Sequence, residues 1–171
     1  MDPHAQEVTR HYCADMAGDF DALVDEWIAD ELEESPVRAT QLGIDGSDEL
    51  LGDHSAAGHE RRDARDDAWL QRLNDVDESA LSFDQLIDLS LLQSTLTGRA
   101  INRSWLGWKR DPGSYPGIGL QGVFFLFLNR VHPEPDLARF AIARMNALPA
   151  VLEEGKKNID ASIVPPLFVE R

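Results

Sequence analysis

Three glycines near the middle of the chain have the spacing of a dinucleotide-binding loop. Gly117, Gly119 and Gly122 form the pattern Gly-x-Gly-x-x-Gly. In a βαβ unit this pattern lets backbone N–H groups approach a pyrophosphate. Here a Pro-Gly-Ser-Tyr-Pro segment precedes the glycines in place of a strand. We therefore interpret them as a turn that also permits close helix–helix approach beneath Trp105 and Trp108.

A second segment is one residue away from the metal-binding helix of zinc proteases. That helix places two imidazoles four residues apart on one metal and uses a Glu between them as the general base. The chain has His59-Glu60-Arg61-Arg62-Asp63, so an Asp stands where the second imidazole is needed. Since the surrounding segment is the most polar of the predicted helices, we interpret these charged residues as a solvated helix face.

The remaining histidines and the single cysteine do not form a recognisable catalytic or metal-binding pattern. His4, His11, Cys13 and Asp15 lie close together in sequence, but a mobile terminus explains them better than a metal site. His132 stands at a proline break without a partner ligand nearby in sequence. We therefore predict no catalytic, metal-binding or cofactor-binding residue in this chain, and no cofactor.

The remaining candidate functional residues are of types that suit a binding surface and not catalysis. They belong to residues 104–128, where an aromatic segment rich in Gly and Pro leads into the most apolar run of the chain. An exposed run of this kind would promote aggregation, so we expect it to be core or interface. The residues predicted to line a cleft or an interface are Trp108, Asp111, Tyr115, Phe124, Phe125 and Phe127.

Apolar periodicity predicts helices throughout. Residues 19–33 repeat apolar side chains at helical spacing, with Asp19 able to cap the start. Ser35-Pro36 begins a short helix that Gly43 ends. Further helices are predicted at residues 5–16, at residues 55–74, at residues 84–102 after a Ser82–Gln85 capping box, and after Pro135. No segment alternates like a strand over more than four residues. We predict an all-α fold, an orthogonal or bundle-like array of about six to seven helices without a substantial sheet.

Two helices carry more specific expectations. Residues 84–102 have apolar side chains around most of the helix circumference, which predicts the central buried helix. In the helix after Pro135, Leu137, Phe140, Ala141 and Met145 are expected to face inward. Pro149 is expected to open a last helix over residues 149–161.

Composition restricts the class of protein. At 171 residues the chain is long enough for one domain, and we predict a single helical domain over residues 1–171. The net charge of −15 repels phosphate backbones, so nucleic acid is not expected as a partner. The longest apolar run is far shorter than the roughly 20 residues of a membrane span, and one cysteine fits a reducing compartment. We therefore expect a cytoplasmic protein that does not bind membranes.

Five segments in this order resemble the N-terminal part of a bacterial family called domain of unknown function 885. They are Glu-Ser-Pro-Val-Arg-Ala-Thr-Gln-Leu-Gly-Ile at 34–44, Asp53-His-Ser55, Leu-Ser-Phe-Asp-Gln-Leu-Ile-Asp at 81–88, Trp108-x-x-Asp-Pro-x-x-Tyr115, and Arg-Met-Asn-Ala-Leu-Pro-Ala-Val-Leu at 144–152 followed by Asn158. Members of that family are large helical proteins similar to zinc metallopeptidases and helical carboxypeptidases. Their His-Glu zinc motif lies C-terminal to the matched region, so the resemblance assigns no catalytic or metal position here.

The resemblance implies an incomplete protein. We expect the chain to be the N-terminal helical segment of a zinc-dependent peptidase-like hydrolase, non-catalytic alone, forming one wall of a cleft for a peptide substrate. Zinc would then belong to a full-length relative. The partner would be the missing C-terminal part or a second chain, which would cover the apolar run. The alternative is a freestanding helical interaction module that forms a homodimer through that apolar helix.

Overall fold

The fold is entirely helical over the part of the chain that the structure describes. The computed structural model describes the backbone of residues 3–129 and 131–169 and the side chains of residues 19–129 and 131–168. No strand occurs among these residues, which confirms the all-α prediction. The helices are α1 (Pro3–Glu34), α2 (Pro36–Leu42), α3 (Ala56–Asn74), α4 (Phe83–Arg103), α5 (Gly107–Arg110), α6 (Ser114–Asn129), α7 (Glu134–Asn158) and α8 (Pro166–Val169), with a 3₁₀ turn at Glu78–Ala80.

The chain divides into two compact units. The first unit comprises residues 1–30 and 63–101, and the second comprises residues 31–62 and 102–171. The first unit contains one apolar cluster and the second contains two. Whether the two units unfold together as the predicted single domain stays a prediction.

The first unit is organised around apolar side chains of α1, α3 and α4. Phe20, Trp69, Leu73, Leu89 and Leu96 are buried together. The apolar stripe predicted for residues 19–33 joins them from α1, because its leucine, valine and tryptophan side chains are partly buried against this cluster.

Both hydrogen bonds of the predicted capping box are present at the start of α4. The Ser82 backbone N–H donates to the Gln85 side-chain oxygen at 3.0 Å, and the Gln85 N–H donates to the Ser82 hydroxyl at 3.3 Å. The amide of Gln85 also donates to Asp21 of α1 at 2.8 Å. The residues that begin α4 therefore also attach it to α1.

The prediction that α4 is buried on most of its circumference was wrong. Leu89 and Leu96 are buried, whereas Ile87, Leu91 and Ile101 are exposed. In the first unit α4 packs through one face only, so the other apolar residues form a solvent-exposed stripe. The buried stripe of α3 is also narrower than its apolar pattern. Trp69 and Leu73 are buried, but the two alanines of this stripe, Ala64 and Ala68, are exposed.

The second unit begins with a short helix whose ends were predicted correctly. Ser35 is the N-cap of α2, and Pro36 occupies the first turn. Gly43 ends the helix in the left-handed conformation with φ 74°, which a residue without Cβ adopts at little cost. The Asn129 amide at the end of α6 donates to the carbonyls of Thr40 and Gln41 at 2.7 and 2.8 Å, so α6 caps the last turn of α2.

Two helix-boundary predictions were wrong. The helix through residues 19–33 has no start at Asp19, because α1 already begins at Pro3. Pro149 does not open a helix, since α7 continues through it to Asn158. Packing on both sides of Pro149 offsets its missing N–H, because Leu148 and Leu152 lie against an apolar cluster that contains the buried Val151.

The inward face of α7 also differs from the prediction. Leu137 and Ala141 are buried and Phe140 is partly buried, as expected. Met145 is 62% exposed, whereas its neighbour Arg144 is completely buried. From the sequence pattern alone, a charged residue such as Arg144 is expected at the surface. In the structure Arg144 occupies a core position, where it forms the hydrogen bonds described below.

Candidate functional site

The glycine motif lies inside a helix and not in a turn, so that part of its interpretation was wrong. Gly117, Gly119 and Gly122 all belong to α6. A Cβ at Gly119 would stand 2.5 Å from a methyl group of Leu148, and one at Gly122 would stand 2.8 Å from a methyl group of Leu51. The glycines therefore allow α6 to approach α7 and the loop after α2 closely, as the interpretation also proposed. A phosphate-binding loop would need a strand before it, and the described residues contain none.

The aromatic residues before α6 form a hydrogen-bonded corner. The Tyr115 hydroxyl donates to the Trp108 carbonyl at 2.7 Å and accepts from the Asn158 amide at 3.0 Å. Tyr115 is only 3% exposed, and its burial raises the pKa of its hydroxyl. Asp111 accepts from the Gly113 N–H at 2.9 Å and so orders the turn that begins α6. The geometry gives Tyr115 and Asp111 structural tasks at the junction of α5, α6 and α7.

Close packing at the C-terminal end of α7 fixes the Tyr115 ring. A Cβ at Gly155 would lie 2.6 to 2.9 Å from three ring carbons of Tyr115, so α7 lies directly against the ring. Three residues later the Asn158 amide also donates to the His54 carbonyl at 2.8 Å. The corner therefore connects α7 to the segment that precedes α3.

His59 belongs to the same corner. Its ring stacks on Trp108 with centroids 4.7 Å apart and planes at 8°. Its Nδ1 lies 3.1 Å from a guanidinium nitrogen of Arg62, which can only donate, so Nε2 carries the hydrogen of the neutral ring. That Nε2 is buried without a partner. Glu60 is exposed, and within the described residues neither His59 nor Glu60 belongs to a group that could hold a metal ion.

Burial and the neighbouring Arg62 lower the pKa of His59 from 6.5 to about 4. The unfolded chain therefore binds a proton at this position at higher pH than the folded chain does. Stability is fully present above pH 6.5 and falls as pH decreases from about 6.5 to 4. We expect urea midpoints to decrease over this interval, and a His59→Gln variant to show a smaller decrease. If His59→Gln leaves the dependence of the urea midpoint on pH unchanged, the assignment of this effect to His59 is contradicted. NMR titration of the His59 ring provides the direct check.

A buried cation organises the middle of the second unit. The Arg144 guanidinium donates to the carbonyl of Gly122 at 2.5 Å, to the hydroxyl of Thr40 at 2.6 Å and to the carbonyl of Ser47 at 3.3 Å. The Thr40 hydroxyl donates onward to Asp48 at 2.6 Å. Burial lowers the pKa of Arg144 and the Asp48 carboxylate opposes that shift. One guanidinium therefore joins α2, the loop after it, α6 and α7.

Two aspartates of the loop after α2 and a histidine that is distant in sequence meet next to this network. His132 Nε2 lies 2.9 Å from a carboxylate oxygen of Asp48 and 3.3 Å from one of Asp45. One possible ligand atom from each residue lies within 4.8 Å of the others, the only such group within residues 19–129 and 131–168. Sequence reasoning found no partner for His132 because its partners are more than 80 residues away, and no local spacing pattern signals the contact.

The phenylalanines of α6 form an exposed apolar face rather than a core. Phe124 and Phe127 are 58% and 46% exposed, and Phe125 is half-buried with its ring centroid 5.6 Å from that of Phe124. The next helix also carries exposed apolar side chains. We use the name α6–α7 face for the exposed apolar residues of the two helices: Leu120, Phe124, Phe127, Leu128, Ile142 and Met145.

The six predicted site residues therefore fall into two groups. Trp108, Asp111 and Tyr115 meet at the corner of α5, α6 and α7, where Tyr115 is buried. The three phenylalanines lie further along α6, and two of them, Phe124 and Phe127, belong to the α6–α7 face. Their assignment to a cleft or an interface stays a prediction. Among the described residues, no helix has both the length and the apolar character required to cross a membrane.

Comparison with known proteins gives one informative match. No curated protein and no solved structure is significantly similar to the chain. The model of a family described as bacterial protein of unknown function, DUF885, matches residues 36–170. This match covers most of the chain and includes the residues of the aromatic corner, of the Arg144 network and of the α6–α7 face. The chain belongs to the DUF885 family.

Proposed function

We propose that this chain is the N-terminal helical segment of a zinc-dependent, peptidase-like hydrolase of the bacterial cytoplasm. In this proposal it contributes one wall of a cleft for a peptide and does not catalyse hydrolysis alone. The observation that carries the proposal is the exposed α6–α7 face, whose phenylalanines a covering partner would remove from water. The family resemblance supplies the kind of enzyme, because its members resemble zinc metallopeptidases whose His-Glu motif lies in the C-terminal part.

The chemistry of the α6–α7 face supports a permanent helical partner. Residues 114–129 contain no charged side chain. Large contiguous apolar patches on soluble proteins mark interaction sites or aggregation hazards. A face without charges gains little from a charged partner, whereas an apolar helix face would remove its phenylalanines from water. The catalytic part of the same helical protein is such a partner.

The residues near the face are suited to support rather than to catalysis. Arg144, Thr40 and Tyr115 are buried, and each forms hydrogen bonds to other parts of the fold. A catalytic group must instead reach a substrate atom at hydrogen-bond distance. We therefore assign catalysis to the partner and positioning of the cleft wall to this chain.

Substitution of one exposed phenylalanine tests the proposal. We expect the purified chain to bind a hydrophobic dye and to associate without a fixed stoichiometry, because the α6–α7 face is uncovered. Phe124→Asp should reduce both effects while changing the free energy of unfolding by no more than about 0.5 kcal/mol, since the side chain is exposed. Dye fluorescence, sedimentation velocity and urea unfolding measure the three quantities.

A matched variant and a second outcome separate the alternatives. Phe83→Asp changes a phenylalanine that is 76% exposed on α4 in the first unit, and it should leave association through the α6–α7 face unchanged. A dimer of defined stoichiometry that Phe124→Asp abolishes would favour the alternative, a freestanding module that dimerises through α6. Hydrolysis of peptides by the isolated chain would contradict its non-catalytic role.

A further inference from the structure

We propose that Asp45, Asp48 and His132 bind a divalent first-row metal ion, zinc by preference, which fastens the loop after α2 to the start of α7. The two aspartates lie within that loop, and His132 lies two residues before α7 begins. The proposal revises the expectation that the chain contains no metal-binding residue. It rests on the geometry of these side chains and does not depend on the proposed function.

The donor atoms have the separation that a zinc ion requires. Zinc binds imidazole nitrogen and carboxylate oxygen at about 2.0–2.2 Å in tetrahedral geometry, so neighbouring ligand atoms stand roughly 3.4 Å apart. His132 Nε2 lies 2.9 and 3.3 Å from the two carboxylate oxygens, and the three atoms together lie within 4.8 Å. The two distances to His132 therefore need only small shifts, and the separation between the two carboxylates, at most 4.8 Å, can close by rotation of the exposed Asp45 side chain.

The ligand side chains are held by the surrounding structure. The Asp48 side chain is only 4% exposed, and its second oxygen accepts from the Thr40 hydroxyl at 2.6 Å. The His132 ring packs edge-on against Phe140 with centroids 4.9 Å apart. Partners of this kind orient metal ligands and strengthen binding, because the side chains lose little freedom when the ion arrives.

The charges near these ligands favour a cation. Arg144 compensates Asp48 through the Thr40 hydroxyl. Asp45, in contrast, forms an ion pair with His132 alone among the residues that the structure describes. Its side chain is 71% exposed, which gives an ion a path from solvent and leaves a coordination position open to water. One imidazole with two carboxylates is a donor set that zinc accepts, whereas calcium and magnesium prefer oxygen ligands alone.

The competing explanation is an ion pair between a protonated His132 and the two aspartates, without metal. Zinc titration of the full chain, first treated with chelator and then dialysed, distinguishes the two. We expect one equivalent of zinc to bind by calorimetry. Zinc at about one hundred times its Kd should raise Tm by roughly 5–10 °C. Calcium or magnesium at the same concentration should produce no comparable rise.

Two variants and one control locate the ion. Asp45→Asn changes an exposed side chain and should preserve folding while weakening zinc binding at least about tenfold. His132→Gln should also abolish the rise in Tm. The control is His11→Gln combined with Cys13→Ser, which removes two of the potential zinc ligands near the N-terminus and should leave binding unchanged.

Each outcome decides the assignment. Loss of zinc binding in Asp45→Asn and His132→Gln, with binding retained in the N-terminal control, supports it. Absence of binding to the unaltered chain overturns it, as does binding that survives both substitutions. Circular dichroism of Asp45→Asn without zinc verifies that a lost response does not come from unfolding.

Discussion

Replacing Arg144 with Met is expected to lower the free energy of unfolding by about 3–5 kcal/mol, because several buried acceptors lose one charged donor. The side chain is completely buried, and the substitution removes the guanidinium that donates to the Thr40 hydroxyl and, through it, faces the Asp48 carboxylate. It also leaves the Gly122 carbonyl without its donor. Urea unfolding followed by circular dichroism measures the change.

Two further variants give this prediction its controls. Arg139→Met changes an exposed arginine on the same helix, which pairs with Glu49 at the surface, and should cost no more than about 1 kcal/mol. Arg144→Lys keeps the charge but loses the planar fork that reaches several acceptors, so its cost should lie between the other two. Equal effects of Arg144→Met and Arg139→Met would show that the buried network contributes little.

The second large effect is expected in the first unit. Leu73 has no exposed surface and lies in the cluster with Phe20 and Leu89. Leu73→Ala removes buried methyl groups and leaves a cavity, which typically costs about 2–5 kcal/mol. Leu91→Ala, on the exposed face of α4, should change stability by less than about 1 kcal/mol. Similar costs for the two leucines would contradict the burial that the structure assigns them.

A comparison of the two single variants, Arg144→Met and Leu73→Ala, also tests the single-domain prediction. The two substitutions lie in different compact units. If the chain unfolds as one cooperative domain, each should accelerate the slowest amide hydrogen exchange in both units. If the units open separately, each should accelerate exchange only in its own unit. Exchange measured by mass spectrometry on peptides from α4 and α7 distinguishes these results.

Local signals in the sequence predicted helix ends well. The Ser82–Gln85 capping box and the left-handed Gly43 were both found where expected, because each depends on atoms within a few residues. Pro149 shows the limit of such reasoning. A proline lacks one hydrogen bond, but whether the helix continues depends on packing by residues from other elements, which a local rule does not include.

Most contacts between the polar residues of the candidate site could not be predicted from the sequence. Thr40 and Arg144 stand 104 residues apart, and Asp48 and His132 stand 84 residues apart. The apolar periodicity of a segment predicts one helix and its buried side, but it does not predict which helices contact each other. The same reason explains why α4 was predicted to be buried all round, since an apolar residue such as Leu91 has the same sequence signature in a core and on an uncovered face.

The Arg144 network also sets an order of events during synthesis. Thr40 leaves the ribosome 104 residues before Arg144. At about 5–20 residues per second, this interval lasts roughly 5–20 seconds. During that time α2 and the loop after it have neither the guanidinium nor α7 to bond. The Arg144 network can therefore form only after α7 has been synthesised, and the second unit cannot close before then.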